Sequence, residues 1–378
     1  MHNRGWSGPP EKQRRLFLTQ GYRAEAKASL HPQLSSREAL PSLHPQLGSH
    51  EAPASLHPQP SRNEASLHLG QPHQGQKSFM PIVLMGKGSF GSVHKARVVG
   101  SRLEVAVKTV KLKESAREIQ VLTRLRGLPN IVTILGSFKG NEATQELATM
   151  NIVLEFVADT LQRIIRHHRQ LGQPMLLYHV ILYGHQMLQG LASLVTCKVV
   201  HRDIKPSNLL VDPGTWTLKI CDFGTAKLLE AQEPLQPYAC SRFYRAPELI
   251  LSSPKYTEAV DLWSAGCVVA EMLIGQPIFA GKDGVDQLVQ ICEVLGTPSP
   301  QDFQAMNPNY NPSAAVGFSP QVEPLPWEAV LGNHVPAKLV ELVSKLLQFN
   351  PDARPRPPQA MSMLCDLQKQ HLPGRPGG

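Results

Sequence analysis

His201-Arg202-Asp203-Ile204-Lys205-Pro206-Ser207-Asn208 is the stretch from which the rest of the chain is read. Eight consecutive residues hold a carboxylate at Asp203, a cation at Lys205 and a side-chain amide at Asn208. These types suit a proton acceptor, a stabiliser of developing negative charge and a hard oxygen ligand. Fourteen residues past Asn208, Asp222-Phe223-Gly224 adds a second carboxylate and a flexible glycine, and Ala246-Pro247-Glu248 closes the interval.

Upstream, Gly86-Lys87-Gly88-Ser89-Phe90-Gly91 has G-x-G-x-x-G spacing, which lets backbone amides approach phosphate oxygens where a Cβ would collide. Taken alone, the spacing also fits a hairpin turn or a dinucleotide fingerprint. The fingerprint requires a helix directly after the glycines, whereas the following run, with Val93 and Val98, reads as a strand. Val105-Ala106-Val107-Lys108 predicts another strand, carrying an ammonium towards the same phosphates. A charged segment near 113–126 predicts a helix and offers Glu118 as a carboxylate to hold Lys108.

The 378 residues include 42% hydrophobic residues, enough for a sizeable core. Residues 1–76 are different: they contain no Val or Ile, and Leu plus Phe make up 11 of them, which predicts a disordered tail over 1–77. A short unit recurs in it, at Ser29-Leu30-His31-Pro32-Gln33, Ser42-Leu43-His44-Pro45-Gln46 and Ser55-Leu56-His57-Pro58-Gln59, spaced 13 residues apart. That is shorter than a solenoid repeat and reads as an expanded low-complexity array. Short β-branched runs at 82–86, 92–98, 104–110, 131–138 and 151–157 precede helical periodicities at 178–194, 285–295 and 337–349. A strand-rich portion over 78–157 and a helix-rich one over 158–368 predict two lobes, with a flexible end at 369–378. No run approaches 18 apolar residues, so no membrane span is expected. The net charge of +8 is spread without basic runs or zinc-finger spacing, which argues against nucleic acid. Six dispersed cysteines fit reduced thiols, hence the cytoplasm, with the nucleus as a further compartment.

Five ordered elements together resemble a eukaryotic protein kinase over about 78–368. The resemblance implies an α+β bilobal fold: a small antiparallel-sheet lobe with one regulatory helix, a larger helical lobe, and ATP and Mg²⁺ between them. It implies that Asp203 orients the substrate hydroxyl and takes its proton, that Lys205 steadies the transferred phosphoryl group, and that Asn208 and Asp222 ligate Mg²⁺. Lys108, clamped by Glu118, would hold the α and β phosphates, and Gly86, Lys87, Gly88, Ser89, Phe90 and Gly91 would form the phosphate lid. Val93 and Ala106 would cover the adenine, with Leu154, Glu155, Phe156 and Val157 as the linker beside it and Leu154 as gatekeeper. Asp261 and the pair Glu248 and Arg354 match structural supports of the large lobe.

Arg242-Phe243-Tyr244-Arg245-Ala246-Pro247-Glu248 is similar to the CMGC group, and Tyr238-Ala239-Cys240-Ser241-Arg242, Gly275-Gln276-Pro277-Ile278-Phe279 and Leu295-Gly296-Thr297-Pro298 are similar to the glycogen synthase kinase-3, or shaggy, subfamily. That implies a serine/threonine kinase preferring protein substrates already phosphorylated four residues C-terminal to the target. Arg117, Arg202 and Lys227 occupy the matching cationic positions, and Tyr238 matches the activation-loop phosphosite, with Arg242 and Arg245 to receive its phosphate. Residues 285–310 match a surface for scaffold proteins. Glu114-Ser115-Ala116 departs from the subfamily pattern before Arg117, no R-x-R-x-x-S segment stands in the tail, and 311–318 lack the subfamily's aromatic pattern. A proline-directed kinase without priming, and a catalytically weak scaffold, are the alternatives.

Overall fold

The computed structural model describes residues 78–88, 91–140, 148–229, 241–309 and 321–371. The expectations for 1–77, Ser89, Phe90, Tyr238, Tyr310 and 311–318 lie outside the described residues.

Alternating β-branched residues build a five-stranded sheet from β1 (Phe79–Gly88), β2 (Gly91–Val98), β3 (Glu104–Lys111), β4 (Ile134–Lys139) and β5 (Thr149–Glu155). The order is β1-β2-β3-β5-β4, with every neighbouring pair antiparallel. Between β3 and β4 lies α1 (Leu112–Arg124), which buries Ser115, Glu118, Val121 and Leu122. Those positions fall three or four apart, so one stripe of the helix faces the sheet.

Beyond β5 the chain is mainly helical: β6 (Asp159–Thr160), α2 (Leu161–Gln170), α3 (Leu177–Thr196), β7 (Val199–Val200), β8 (Leu209–Asp212), β9 (Thr217–Ile220), β10 (Lys227–Leu228), α4 (Pro247–Ile250), α5 (Ala259–Ile274), α6 (Gly284–Leu295), α7 (Pro300–Met306), α8 (Trp327–Leu331), α9 (Ala337–Leu346) and α10 (Pro357–His371). A small antiparallel-sheet lobe and a helical lobe make the expected bilobal α+β fold. One contiguous apolar core runs from the inner face of the sheet through α1 into the helical lobe. No helix among the described residues is long and apolar enough to cross a membrane.

Two expected elements end differently. The run at 131–138 enters the sheet only at Ile134. Ile131 instead bridges Ile220, because Pro129 and the positive φ of Asn130, 57°, turn the chain towards β9. The helix expected over 337–349 stops at Leu346, consistent with Pro351 disfavouring helical backbone at Asn350 and a new turn beginning there.

α5 is buried on every side, all 16 residues of it, and is the axis of the helical lobe. At Gly266 a Cβ would come within 2.9 Å of Leu346 and Leu347, so α9 packs against bare backbone there. Arg354 reaches Glu248 through two hydrogen bonds, 2.6 and 2.8 Å, and lies over the Trp263 ring. Both side chains are buried, so removing either would strand a charge, at a cost of about 3–5 kcal/mol.

Tyr244 donates a hydrogen bond of 2.7 Å to Glu271 on α5. Burial pushes the Glu271 carboxyl up from 4.5 to about 7, with the Tyr244 hydroxyl pulling the other way. In the unfolded chain the carboxyl ionises around 4.5, whereas in the folded chain it keeps its proton up to about 7. Its contribution to stability is therefore full below about 4.5, declines as pH rises through that window, and is lost above about 7. Glu271→Gln should remove this decline, so that urea melts across the window show wild type losing about 2–4 kcal/mol relative to the variant. A difference that does not change with pH would refute it.

Candidate active site

The loop between β7 and β8 is fixed from below by α5. Asp261 accepts the backbone N–H of His201 at 2.7 Å and of Arg202 at 2.8 Å, one on each carboxylate oxygen. Arg202 is held at φ 68°, and Asp222 at φ 63°. Non-glycine residues in the left-handed region are strained and concentrate at functional sites. Burial pushes the Asp261 carboxyl up, against the His201 and Arg202 interactions. His201 accepts from the Asp203 N–H through Nδ1 at 3.2 Å, so Nε2 carries the proton and donates to the Cys221 carbonyl at 2.9 Å. Phe223, fully buried, packs edge-on against the His201 ring.

This brings the sequence-predicted residues together around Asp203. Its Oδ2 accepts Lys205 Nζ at 2.6 Å and Asn208 Nδ2 at 3.1 Å. Its Oδ1 accepts the Ser241 N–H at 3.0 Å and the Ser241 hydroxyl at 2.8 Å, while Lys205 also donates to that hydroxyl at 2.8 Å. Ser241 was not expected here. In the sequence it stands only within the subfamily-like stretch 238–242, 38 residues from Asp203, with nothing to tie its hydroxyl to that carboxylate. Chemically, the cluster is a carboxylate able to take a proton, with a cation beside it to offset charge.

A second cluster joins the lobes. Lys108 donates to Glu118 on α1 and to Asp222, both at 2.6 Å, and is buried. Burial works against its charged form, but Glu118 and Asp222 outweigh it and hold the ammonium above its ordinary value. Burial also opposes ionisation of Asp222, yet Lys108, His201 and Lys205 bring its carboxyl below the ordinary value. Burial pushes Glu118 up, with Lys108 pulling it back.

The register places Val93 opposite Lys108 and Ala106 opposite Leu154, so strand alternation puts all four on one face of the sheet. Gly86 pairs with Val93 and Gly88 with Gly91. Added Cβ atoms at Gly86 and Gly88 would meet no protein atom within 4 Å, whereas at Gly91, with φ 130°, one would strike the Thr109 carbonyl. Packing demands the third glycine only, and the first two leave open backbone towards the cleft. Lys87 lies between them on β1. Glu155 is anchored by Lys219 at 2.6 Å and accepts the Thr133 N–H at 2.7 Å. The Val157 N–H, just past β5, has no hydrogen-bond partner among the described residues.

The donor set fits a hard divalent cation. Asn208 spends its Nδ2 on Asp203, leaving its amide oxygen as acceptor, and Asp222 commits only Oδ1, to Lys108. Two protein oxygens with the remainder from phosphate and water is how Mg²⁺ is usually held. No cluster of three or more His, Cys, Asp or Glu that could hold a metal occurs among the described residues.

Of the three expected phosphate-pocket cations, Arg202 and Lys227 are buried and Arg117 is exposed on α1. Arg202 donates to the Thr225 carbonyl at 2.6 Å and the Tyr256 hydroxyl at 2.9 Å. Arg117 lines an open cleft of about 520 Å³ together with Lys113, Glu114 and Gly224. Arg242 donates to the Lys282 carbonyl. Asp261→Asn would turn one acceptor into a donor facing a backbone N–H, and is expected to cost about 2–3 kcal/mol in denaturant unfolding. Wild-type stability would show that the two amide bonds do not hold the loop.

A protein kinase domain family model matches residues 79–364, from the first strand of the sheet into α10. The match spans both lobes and every cluster described above. Kinase-domain chemistry, ATP and a divalent metal acting on protein substrates, therefore applies to this chain, which belongs to the protein kinase family.

Proposed function

We propose that the protein is a serine/threonine kinase using Mg²⁺·ATP, with glycogen synthase kinase-3-like preference for pre-phosphorylated substrates. The carrying observation is Asp203, whose Oδ1 is already bonded to an aliphatic hydroxyl, that of Ser241, with Lys205 donating to both. An incoming serine or threonine hydroxyl presents the same group to the same carboxylate.

When bound, Mg²⁺·ATP supplies the γ-phosphoryl group and a metal that neutralises phosphate charge. Asp203 orients the substrate hydroxyl and accepts its proton as that oxygen bonds to the γ-phosphorus; the bond to the bridging β–γ oxygen breaks, and its electron pair leaves with ADP. Lys205 offsets negative charge beside the acceptor, and Lys108 holds the α and β phosphates. Asn208 and Asp222 would hold the metal through the oxygens that they leave free, Gly86 and Gly88 would admit the phosphates, and Val157 with Leu154, Ala106 and Val93 would bound the base.

Priming is supported by the buried guanidinium of Arg202, which donates to the Thr225 carbonyl and the Tyr256 hydroxyl and has Asp261, bonded to its backbone N–H, as the neighbouring carboxylate. A dianionic phosphate brought beside Arg202, Lys227 and Arg117 would gain charge-assisted hydrogen bonds from them.

Asp203→Asn should lower phosphate transfer by roughly 10²–10⁴-fold in a protein that still folds and melts cooperatively. Turnover at the wild-type rate would remove Asp203 from the mechanism. Peptides of the form S-x-x-x-S, with and without phosphate on the second serine, should differ by about tenfold or more in kcat/KM, a preference lost in Arg117→Ala. Equal rates would leave a kinase without priming, and a tyrosine peptide phosphorylated as well as the serine one would refute the hydroxyl class.

A further inference from the structure

The face of the sheet opposite Lys108 carries its own apolar cluster, Ala96, Val98, Val105, Val107 and Val153, separate from the main core. Phe79 and Phe138 stack beside it, centroids 5.4 Å apart and nearly parallel. A groove of about 200 Å³ runs here, lined among others by Phe79, Leu103, Val105, Leu135 and Phe138. Leu103 is 52% exposed and Leu135 42%, so two leucines at the rim of an apolar groove stand in water.

The chain enters the fold at this groove. The Ser78 carbonyl accepts the Val99 N–H at 2.9 Å, beside the β2–β3 hairpin, and Phe79, the next residue, lines the groove. Everything N-terminal to Ser78 is thereby tethered at the groove's edge. The last large apolar side chains before Phe79 are Leu67 and Leu69, in Ser66-Leu67-His68-Leu69. In extended backbone an L-x-L pair puts both leucines on one face. Between them and Ser78 stand Gly70, Pro72 and Gly75 among polar residues, a composition that lets a chain reverse direction. Leu69 is nine residues from Ser78, a reach of roughly 30 Å, ample for a groove in which Phe79, next to Ser78, already stacks on Phe138. A linker that spans its site gives a high effective concentration, so weak apolar contact suffices in cis.

We propose that Leu67 and Leu69 of the chain's own N-terminal segment dock into this groove and cover Leu103, Leu135 and Phe138. The test uses the full-length protein with the photo-cross-linker p-benzoylphenylalanine at position 67, irradiated over a range of protein concentrations and mapped by mass spectrometry. The expected result is a cross-link within one chain to the segments around 103–105 or 135–138, its yield independent of concentration. The yield should fall roughly tenfold or more in Leu135→Asp, an exposed position whose substitution leaves the core intact. Cross-links to any other surface, no cross-link, or cross-links only between copies with yield rising with concentration would each overturn the proposal.

Discussion

The Lys108 ammonium ties three parts of the molecule through two hydrogen bonds of 2.6 Å. It leaves β3, meets Glu118 on α1 and meets Asp222 at the start of the Phe223–Thr225 turn. The group is buried, so withdrawing either carboxylate would leave an under-compensated charge at a cost of several kcal/mol. The tilt of α1 against the sheet and the seating of the 222–224 turn are thus set together. The excess of two carboxylates over one ammonium also leaves net negative charge at the cleft, which suits a metal ion there.

The helical lobe applies the same logic to backbone. Asp261 can grip the His201 and Arg202 amides because α5, buried on every side, cannot shift to release them. Arg354, bonded to Glu248 and lying over Trp263, fixes α4 against that helix. Rigid helices therefore set the strained φ of Arg202, and through it the position of Asp203.

Much of this was legible in the sequence, for identifiable reasons. Helix periods over 178–194 and 285–295 stood out because their apolar stripes face one core, and the sheet was legible because its strands are short and β-branched. The residues around Asp203 were legible because four of them lie within one loop. Ser241 was not, since its bond to Asp203 spans 38 residues and a serine before an arginine carries no period. Tyr256 was missed for the same reason: its hydroxyl holds Arg202 only through the tertiary fold. The late entry of β4 at Ile134 was hidden because Ile131 and Val132 are as β-branched as true strand residues, and only their contact with Ile220 shows where they belong.

The hydroxyl of Ser241 has one more implication. It sits directly before the Arg242–Tyr244 turn, and Tyr244 in turn is bonded to Glu271 on the central helix. A polypeptide pressing on that turn pushes, through one serine oxygen, on the carboxylate that would receive its proton. Under the proposed role of Asp203, recognition of the chain and readiness for chemistry would share a single mechanical part, and a poorly seated peptide would be penalised at the reacting group itself and not only in how long it stays bound.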